Sequence, residues 1–400
     1  MTNTGATGPL TGIRVIEFTH MVMGPAVGAI LADLGADVIK VEPPGGDATR
    51  RLLGSGAGYF PMYNRGKRSI CIDLKSPAGR ELALQLASGA DVVIENFRAG
   101  AMDKLGLDYE HLRARNPRLI YCAEKGFLAG PYEHRTALDE VAQMMGGLAY
   151  MTGPPGRPLR AGASVIDVTG GMFGVIAILA AIEERHRTGK GQKVSSALFE
   201  TTVYLVGQHM AQKAVTGEAA RPMPVRISAW AIYDVFETAD HQHVFVGVVS
   251  DGLWRKFCEV FDQPSLAADE SLSTNSQRVK AREHLFPKIK AILGGYTMGQ
   301  LISRLEHSGI PFAPIGRPED LFDDPHLNGS GGLAPIHLQD GSSSRLPVLP
   351  VEMAGHRPIA EGGLPRVGEH GRQILLELGK TEQEIADLGR AGAVVFAARS

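Results

Sequence analysis

The sequence predicts an α/β protein with a doubly wound parallel sheet in its first half and a smaller α+β domain after it. Two observations predict this fold class. Between residues 13 and 124, short β-branched stretches alternate with helical ones, which is typical of βαβ units and parallel sheets. From Trp230 onward, two strand-like stretches form a hairpin and several helices follow. A chain of 400 residues also exceeds what one simple core usually supports.

The first βαβ unit consists of a strand at 13–18, a helix at 24–34 and a strand at 38–42. Glu42 ends the second strand, where the ribose-binding acid of a dinucleotide fold would lie. The loop after the first strand, T-H-M-V-M-G-P, lacks the Gly-x-Gly-x-x-Gly turn of that fold. The sequence therefore disfavours a nicotinamide cofactor.

The remaining elements of the first half continue the alternation of strands and helices, which ends before Trp230. The strand predicted at 91–95 runs into N-F-R-A-G, and ligands bind at such carboxyl ends in open α/β sheets. The helix at 172–182 is apolar almost all round, which predicts that it is buried. We further expect strands at 69–73, 118–124 and 192–196, helices at 78–87, 139–152 and 197–215, a linker at 216–228, a hairpin at 232–238 and 243–249, helices near 251–261, 279–293 and 298–308, an extended segment at 311–315, a helical turn at 319–327 and a helical tail at 368–388.

Composition excludes several classes of function. A net charge of −2 shows no excess of basic residues of the kind that binds nucleic acid or an acidic membrane surface. The 13 histidines and 3 cysteines show no metal-ligand spacing, and the odd, scattered cysteines indicate a reducing compartment. No signal peptide and no run of 18 apolar residues is present. We expect a cytoplasmic protein with no metal, nucleic-acid or membrane partner.

One carboxylate stands out at the start of the apolar helix. Asp167 ends a short apolar stretch and is followed by Thr169, Gly170 and Gly171. Asp is a favoured N-cap residue, so Asp167 is a candidate helix cap. Alternatively, its small neighbours expose it and the helix N-terminus favours negative charge there, as a nucleophile or base would need. The stretch alone leaves both interpretations open.

A set of longer motifs runs in order along nearly the whole chain. These are L-A-D-L-G-A-D-V-I-K-V-E-P-P-G-G-D (31–47), N-R-G-K-R-S-I-C-I-D-L-K (64–75), D-V-V-I-E-N-F-R-A-G (91–100), the Asp167 stretch with E-R-H-R-T-G-K-G-Q (184–192), G-I-P-F-A-P-I (309–315), D-P-H-L (324–327) and V-G-E-H (367–370). Together they resemble the family III CoA-transferases, which include formyl-CoA and carnitine CoA-transferases and are related to the α-methylacyl-CoA racemases.

This resemblance implies an architecture that composition does not show. A large Rossmann-like domain would combine residues 1–215 with residues 326–400, the latter including a return linker. A small α+β domain would occupy 229–325, after the linker at 216–228. Each monomer would form an open ring, and two rings would interlock as a homodimer.

The resemblance also implies a reaction and a nucleophile. Asp167 matches the family's catalytic aspartate, which forms a covalent acyl anhydride, and a carboxylate suits that chemistry. Acyl-CoA and a carboxylic acid are then substrates, and no cofactor is bound permanently. From the residues themselves, we expect backbone N–H groups near Gly170 and Gly171 to stabilise the oxyanions.

Further positions match the family's CoA and substrate contacts. For CoA they are His20, Met21, Val22, Ile72, Lys75, Asn96, Phe97, Arg98 and Lys104, and for the substrate pocket they are Tyr59, Leu138 and Asp139, beside Gly170 and Gly171. Lys75, Arg98 and Lys104 suit phosphates, although each, taken alone, is more often an ordinary solvated charge. Phe97 flanks the adenine or belongs to the core.

The sequence departs from the formyl-CoA transferases at the acid-binding positions. Val22 replaces a glutamine, Leu138-Asp139 replaces a Tyr-Glu pair, and the small domain lacks the glycine-rich loop. We therefore expect a larger acid, such as the dicarboxylate succinate. Two alternatives stay open. A racemase needs a histidine where Leu138 stands, and a non-catalytic acyl-CoA-binding protein would not need an exposed Asp167.

Overall fold

The computed structural model describes residues 8–226, 228–338 and 341–397. The chain divides into two compact units, Met1–Pro224 with Pro325–Ser400, and Val225–Asp324. The strands are β1 (Arg14–Phe18), β2 (Asp37–Glu42), β3 (Arg68–Ile72), β4 (Val92–Glu95), β5 (Ile120–Lys125), β6 (Lys193–Ala197), β7 (Ile232–Glu237), β8 (His243–Val248), β9 (Phe312–Pro314), β10 (Leu333–His337), β11 (Ser343–Pro347) and β12 (Val394–Val395). The helices are α1 (Met23–Asp33), α2 (Tyr59–Asn64), α3 (Pro77–Ser88), α4 (Ala101–Leu105), α5 (Tyr109–Arg115), α6 (Asp139–Met145), α7 (Leu148–Thr152), α8 (Val165–Thr188), α9 (Leu198–Thr216), α10 (Asp251–Val260), α11 (Pro264–Ala267), α12 (Asn275–Lys280), α13 (Arg282–Gly294), α14 (Met298–Leu305), α15 (Pro325–Gly329), α16 (Gly371–Glu377) and α17 (Glu382–Arg390).

The first unit is built on a seven-stranded sheet with the order β12-β3-β2-β1-β4-β5-β6. All neighbours pair in parallel except β12, which runs antiparallel to β3. Val15 of β1 lies opposite Val38 on one side and Val92 on the other. The order 3-2-1-4-5-6 is that of a doubly wound fold, so the predicted fold class is confirmed for this sheet.

Alternation along the strands gives the sheet two apolar faces. Ile16 and Phe18, two residues apart on β1, point to the same face and belong to a core with helices α3, α5, α16 and α17. Val15, by contrast, belongs to a core with α1 and α8. Successive side chains of a strand point to opposite faces, so strands covered on both sides become near-continuous apolar runs.

Helix α8 differs from the prediction at both ends and on its surface. It spans 24 residues, begins at Val165 rather than 172, and therefore contains Asp167 and the glycines. It packs through Val175 and Ile178 into the core, but Met172 and Ile176 are exposed, so the expectation of a helix buried all round is wrong. By length and composition alone α8 could cross a membrane, yet one side of it lies in the core.

Glycines divide two of the predicted helices. The segment 139–152 forms α6 and α7, separated at Gly147, whose φ of 87° suits glycine. The tail at 368–388 forms α16 and α17, separated at Gly379 with a φ of 79°. The hairpin of β10 and β11 and the closing strand β12 were not predicted, because their short stretches carry no clear alternation.

The second unit is a three-stranded antiparallel sheet, β7-β8-β9, with helices on one face. The predicted hairpin is present, and the 311–315 segment supplies its third strand, β9. Trp254, Phe257, Ile289, Leu293 and Leu301 form its core with the inward side chains of β7 and β8.

Candidate active site

The parallel sheet brings four chain segments to one edge. The loops after β1, β3 and β4 leave the carboxyl ends of their strands, and α8 begins on the same side because it connects parallel strands β5 and β6. The strand order reverses between β1 and β4, and ligands bind at such switch points. The predicted residues His20, Asn96, Phe97, Lys75 and Asp167 therefore belong to one edge.

Asn96 fastens the loop after β1. Its Oδ1 accepts a hydrogen bond from the His20 backbone N–H at 3.0 Å, and its Nδ2 donates to the His20 carbonyl at 2.8 Å. Met21 follows with a φ of 63°, an uncommon conformation for a residue other than glycine. The amide of Asn96 is thus engaged by the loop, while the His20 ring lies 5.8 Å from that of Phe97.

The predicted CoA contacts divide into exposed and buried groups. Lys75, Arg98 and Lys104 are exposed, and none has an ion-pair partner within the described part of the chain. Ile72 is fully buried in the sheet core, and Val22 is 1% exposed at the start of α1. The side chains of these two residues are therefore inaccessible to CoA in this conformation, and a CoA contact through the backbone of either residue stays a prediction.

Asp167 is the third residue of α8 and not its cap. The N-cap position is Ser164, which makes no side-chain cap hydrogen bond. Instead Asp139, 28 residues earlier, accepts the N–H groups of Ile166 at 2.9 Å and Asp167 at 3.2 Å through Oδ2. The N-cap interpretation of Asp167 is therefore wrong, because Asp139 caps the helix instead. The Asp167 side chain is half-buried and has no described hydrogen bond.

Asp139 is itself held firmly. It is 4% exposed, and its Oδ1 accepts a hydrogen bond from Gln143 Nε2 at 2.5 Å. The side-chain Oε1 of Gln143 in turn accepts a hydrogen bond from the Ala161 N–H at 2.8 Å. Arg160 lies 3.6 Å from Asp139 Oδ1 and also pairs with Glu140. This network fixes the segment that leads into α8.

The surroundings raise the pKa of Asp167 to about 7, from an ordinary 3.8. Burial is the largest cause, and the negative charges of Asp139 and Glu140 add to it, while Arg160 opposes them. A carboxyl group that titrates near neutral pH at the edge of a sheet is a candidate for catalysis.

The glycines beside Asp167 serve packing. A Cβ on Gly171 would lie 2.8 Å from the Met23 carbonyl oxygen, and one on Gly170 would lie 2.7 Å from Met23 Cε. Both residues lie inside α8, where each N–H bonds a carbonyl four residues earlier. The prediction that these N–H groups stabilise oxyanions is therefore wrong.

Helix α2 adds a residue that the sequence analysis missed. Tyr63 lies one turn after the predicted Tyr59, and both are half-buried. Burial raises the pKa of the Tyr63 hydroxyl, and the negative charge of Asp167 adds to this effect. The four-residue spacing from Tyr59 was the available signal. Leu138, also assigned to the pocket, is exposed at the start of α6.

Buried ion pairs link the strands of the sheet to the segments at this edge. Lys67 donates to both Glu17 carboxylate oxygens, at 2.8 and 2.9 Å, and to the Pro25 carbonyl of α1. Lys40 pairs with Asp47 at 3.0 Å. Glu42, considered above as a ribose ligand, is buried.

Contacts with its own chain occupy Glu42. It binds Arg50 at 2.6 Å and the Ser69 hydroxyl at 2.6 Å. Burial opposes the ionised form, but these partners lower its pKa. Glu42 is thus unavailable to a nucleotide ribose. Within the described residues, no group of three or more His, Cys, Asp or Glu side chains could hold a metal ion.

A doubly wound sheet with an activated carboxylate at its switch edge defines an α/β enzyme that binds its ligand across that edge. The model of CoA-transferase family III matches residues 10–371, and the chain belongs to this family. The protein is thus a family III CoA-transferase, as the sequence motifs predicted.

Characterised relatives and a solved structure agree with this assignment. The chain is 36% identical over 392 residues to succinate–glutarate CoA-transferase of Agrobacterium fabrum, covering 94% of this chain and 97% of that protein. It is 36% identical over 389 residues to succinyl-CoA:mesaconate CoA-transferase of Haloarcula hispanica, covering 93% and 97%. A CaiB/BaiF family protein from Brucella suis superimposes with a TM-score of 0.81 at 36% identity, covering 93% of this chain and 99% of that structure.

Proposed function

We propose that this enzyme transfers CoA from a dicarboxylyl-CoA donor to a carboxylic acid acceptor, with Asp167 as the covalent nucleophile. The observation that carries the proposal is the half-buried Asp167 carboxyl, which has no described hydrogen-bond partner and a pKa of about 7. A purely structural acid would be satisfied by the protein, as Asp139 is.

The reaction proceeds by acyl exchange at Asp167. The ionised carboxylate attacks the thioester carbon, the C–S bond breaks, and CoA leaves as a thiolate from an aspartyl–acyl anhydride. The thiolate attacks the aspartyl Cγ, which releases the donor acid and forms an aspartyl–CoA thioester. The acceptor carboxylate then displaces the thiolate from Cγ, and the thiolate attacks the new acyl carbonyl to release product and Asp167.

The loops at the switch edge hold CoA. Lys75, Arg98 and Lys104 are exposed cations that are unpaired in the described chain, and phosphates attract such groups. Phe97 is half-buried beside His20 and offers a ring edge to the adenine. The backbone of the fastened loop after β1 lies beside α8 and guides the thioester toward Asp167.

The preference for a dicarboxylate rests on two lines of support. The relatives above act on succinate, glutarate and mesaconate, as their names state. In this chain, the buried Val22 and the 57% exposed Leu138 have apolar side chains. Neither therefore offers the amide or hydroxyl that a very small acid would need. A longer diacid can reach polar groups farther from Asp167.

We also propose that the enzyme acts as an interlocked homodimer of open rings, with domain bounds near those predicted. The exposed apolar side chains of the first unit support an association through α8 and α9. Several of them lie on two neighbouring helices: Met172, Ile176 and Leu179 on α8, and Tyr204, Leu205 and Met210 on α9. Exposed apolar surface of this kind marks interaction sites.

Intact-protein mass spectrometry tests the function. After incubation with succinyl-CoA, glutaryl-CoA, acetyl-CoA or oxalyl-CoA, we expect a hydroxylamine-sensitive adduct on the native enzyme, strongest with the first two. Asp167→Ala should give none, whereas Glu140→Gln, a neighbouring acid without this role, should retain it. An adduct-free enzyme that exchanges an α-proton for solvent deuterium would instead be a racemase, and one with neither signal would be a binding protein.

A further inference from the structure

Gln143 of α6 is a buried polar side chain close to the start of α8. It is 0% exposed, and the residue before it, Ala142, packs in an apolar cluster with Ile166 of α8. A buried amide needs hydrogen-bond partners for both its oxygen and its nitrogen. Gln143 has them on two segments: its Nε2 donates to Asp139 Oδ1 at 2.5 Å, and its Oε1 accepts from the Ala161 N–H at 2.8 Å.

These two partners allow only one orientation of the Gln143 amide. Turning it over would place Nε2 against another donor, the Ala161 N–H, and Oε1 against another acceptor, the Asp139 carboxylate. The amide therefore fixes the direction of Asp139 Oδ1 and, with it, the position of Oδ2 on the same carboxylate. Arg160 lies 3.6 Å from Oδ1, which is too far for a hydrogen bond, so it does not replace Gln143.

Asp139 connects Gln143 to the proposed nucleophile. Its Oδ2 accepts the backbone N–H of Ile166 at 2.9 Å and that of Asp167 at 3.2 Å. Within residues 8–226, 228–338 and 341–397, the Asp167 carboxyl itself makes no hydrogen bond or ion pair. The main chain at the start of α8 therefore determines where that carboxyl lies.

The second bond of Gln143 holds the segment that enters α8. The Ala161 N–H is bonded to Gln143, and the Ala161 carbonyl accepts from Arg160 Nε at 3.0 Å. Arg160 Nη2 also donates to the Ala163 carbonyl at 3.0 Å. Gln143 thus joins α6, the segment before α8 and, through Asp139, the first turn of α8.

We infer that Gln143 is a positioning residue, which orients Asp139 and the segment at Ala161 so that the Asp167 carboxylate is aimed at the thioester carbon. Gln143 does not contact the substrate and transfers no proton. The inference rests on the proposed role of Asp167 as the nucleophile. Attack requires aligned reacting atoms, and a misplacement of about 1 Å costs about 100-fold in rate.

Gln143→Met keeps the length of the side chain and removes both hydrogen bonds. With succinyl-CoA, we expect kcat and the rate of Asp167 adduct formation in rapid-quench mass spectrometry to fall about 10- to 100-fold. KM should change less than about threefold, because the proposed CoA contacts lie in other loops. Gln85→Met is the matched control: Gln85 Nε2 also donates to a carboxylate four residues earlier, Glu81 at 3.0 Å, but on the surface of α3. It should keep kcat within about twofold.

Gln143→Glu gives a signal that depends on pH. A protonated carboxyl can donate to Asp139 Oδ1 and accept from the Ala161 N–H as the amide does, whereas an ionised one repels Asp139. The ratio of variant to native kcat should therefore fall at least about tenfold between about pH 5.5 and about pH 8.5, and recover when the pH is lowered. Glu140, Arg160 and Asp167 also face this network and are the same in both proteins. In Gln85→Glu the ratio should stay constant.

Three results would overturn the inference. They are native kcat and adduct rate in a folded Gln143→Met, a raised KM with kcat unchanged, and a kcat ratio for Gln143→Glu that does not change with pH. Thermal melting at each pH shows which proteins are folded, and if Gln143→Met is not, the pH series of Gln143→Glu decides alone. Failure of the proposed function is separate, because the native enzyme itself would then show no adduct on Asp167.

Discussion

Asp139→Asn should move the pH at which Asp167 becomes a nucleophile. The substitution removes one of the two negative charges that raise the pKa of Asp167. The amide oxygen can still accept the N–H groups of Ile166 and Asp167, so the start of α8 is retained. The acidic limb of activity should therefore shift to lower pH.

The magnitude follows from the separation of the charges. Asp139 Oδ2 lies 3.2 Å from the Asp167 backbone nitrogen, so the Asp167 carboxylate is within one side-chain length of that contact. Unit charges about 6 Å apart interact by about 3 kcal/mol at an effective dielectric constant of about 20, or about 2 pH units. Burial remains the largest cause of the shift from 3.8 to about 7, so we expect the Asp139 share to be about one unit.

The assay is the pH profile of kcat/KM for succinyl-CoA, which reports the free enzyme. Because the carboxylate form attacks, native activity should rise with pH through about 7, and the variant's through about pH 6. Glu140→Gln is the control, and its exposed charge should shift the limb by less than about half a unit. An acidic limb that stays near 7, or moves upward, in Asp139→Asn would refute the reasoning.

Three further outcomes are expected. Above pH 7, the free energy of unfolding of Asp167→Asn should exceed that of the native protein by about 1–3 kcal/mol, because the folded state resists the ionisation that Asp167 undergoes near pH 3.8 in the unfolded chain. The gain should vanish toward pH 4, and equal stability of the two proteins at pH 8.5 would contradict this. Gly171→Ala should destabilise by about 1–3 kcal/mol through its contact with the Met23 carbonyl, whereas Gly207→Ala in the open body of α9 should be neutral or stabilising in denaturant titrations. Light scattering should give twice the mass of one chain, and Ile176→Glu should reduce it toward one chain; a monomeric native protein would disprove the dimer.

The regular part of the fold was accessible from sequence because alternation and turn residues are local signals. Strands β1 to β6 of the large sheet lie within a few residues of the predictions, since their apolar runs end at glycine, proline or charged residues. The start of α8 was misplaced because Gly170 and Gly171 suggest a loop. Their role, close contact with α1, becomes visible only in three dimensions.

Site residues within a sequence motif could be predicted, whereas contacts between residues far apart in the sequence could not. Asp167 was singled out by its small neighbours and by family resemblance. The cap from Asp139 joins positions 27 and 28 residues apart, which no periodicity reveals. Ile72 is the opposite case, because its side chain is fully buried in β3 although the family resemblance implied a CoA contact at this position.

The contact between α1 and α8 has a consequence for how such enzymes diversify. The carbonyl of Met23 and the backbone at Gly171 are so close that no β-carbon fits between them. Main-chain contact therefore sets the spacing between the loop after β1 and the carboxylate of Asp167, independent of any long side chain. Substitutions at positions predicted to line the acid pocket, such as Leu138, would then leave that spacing unchanged.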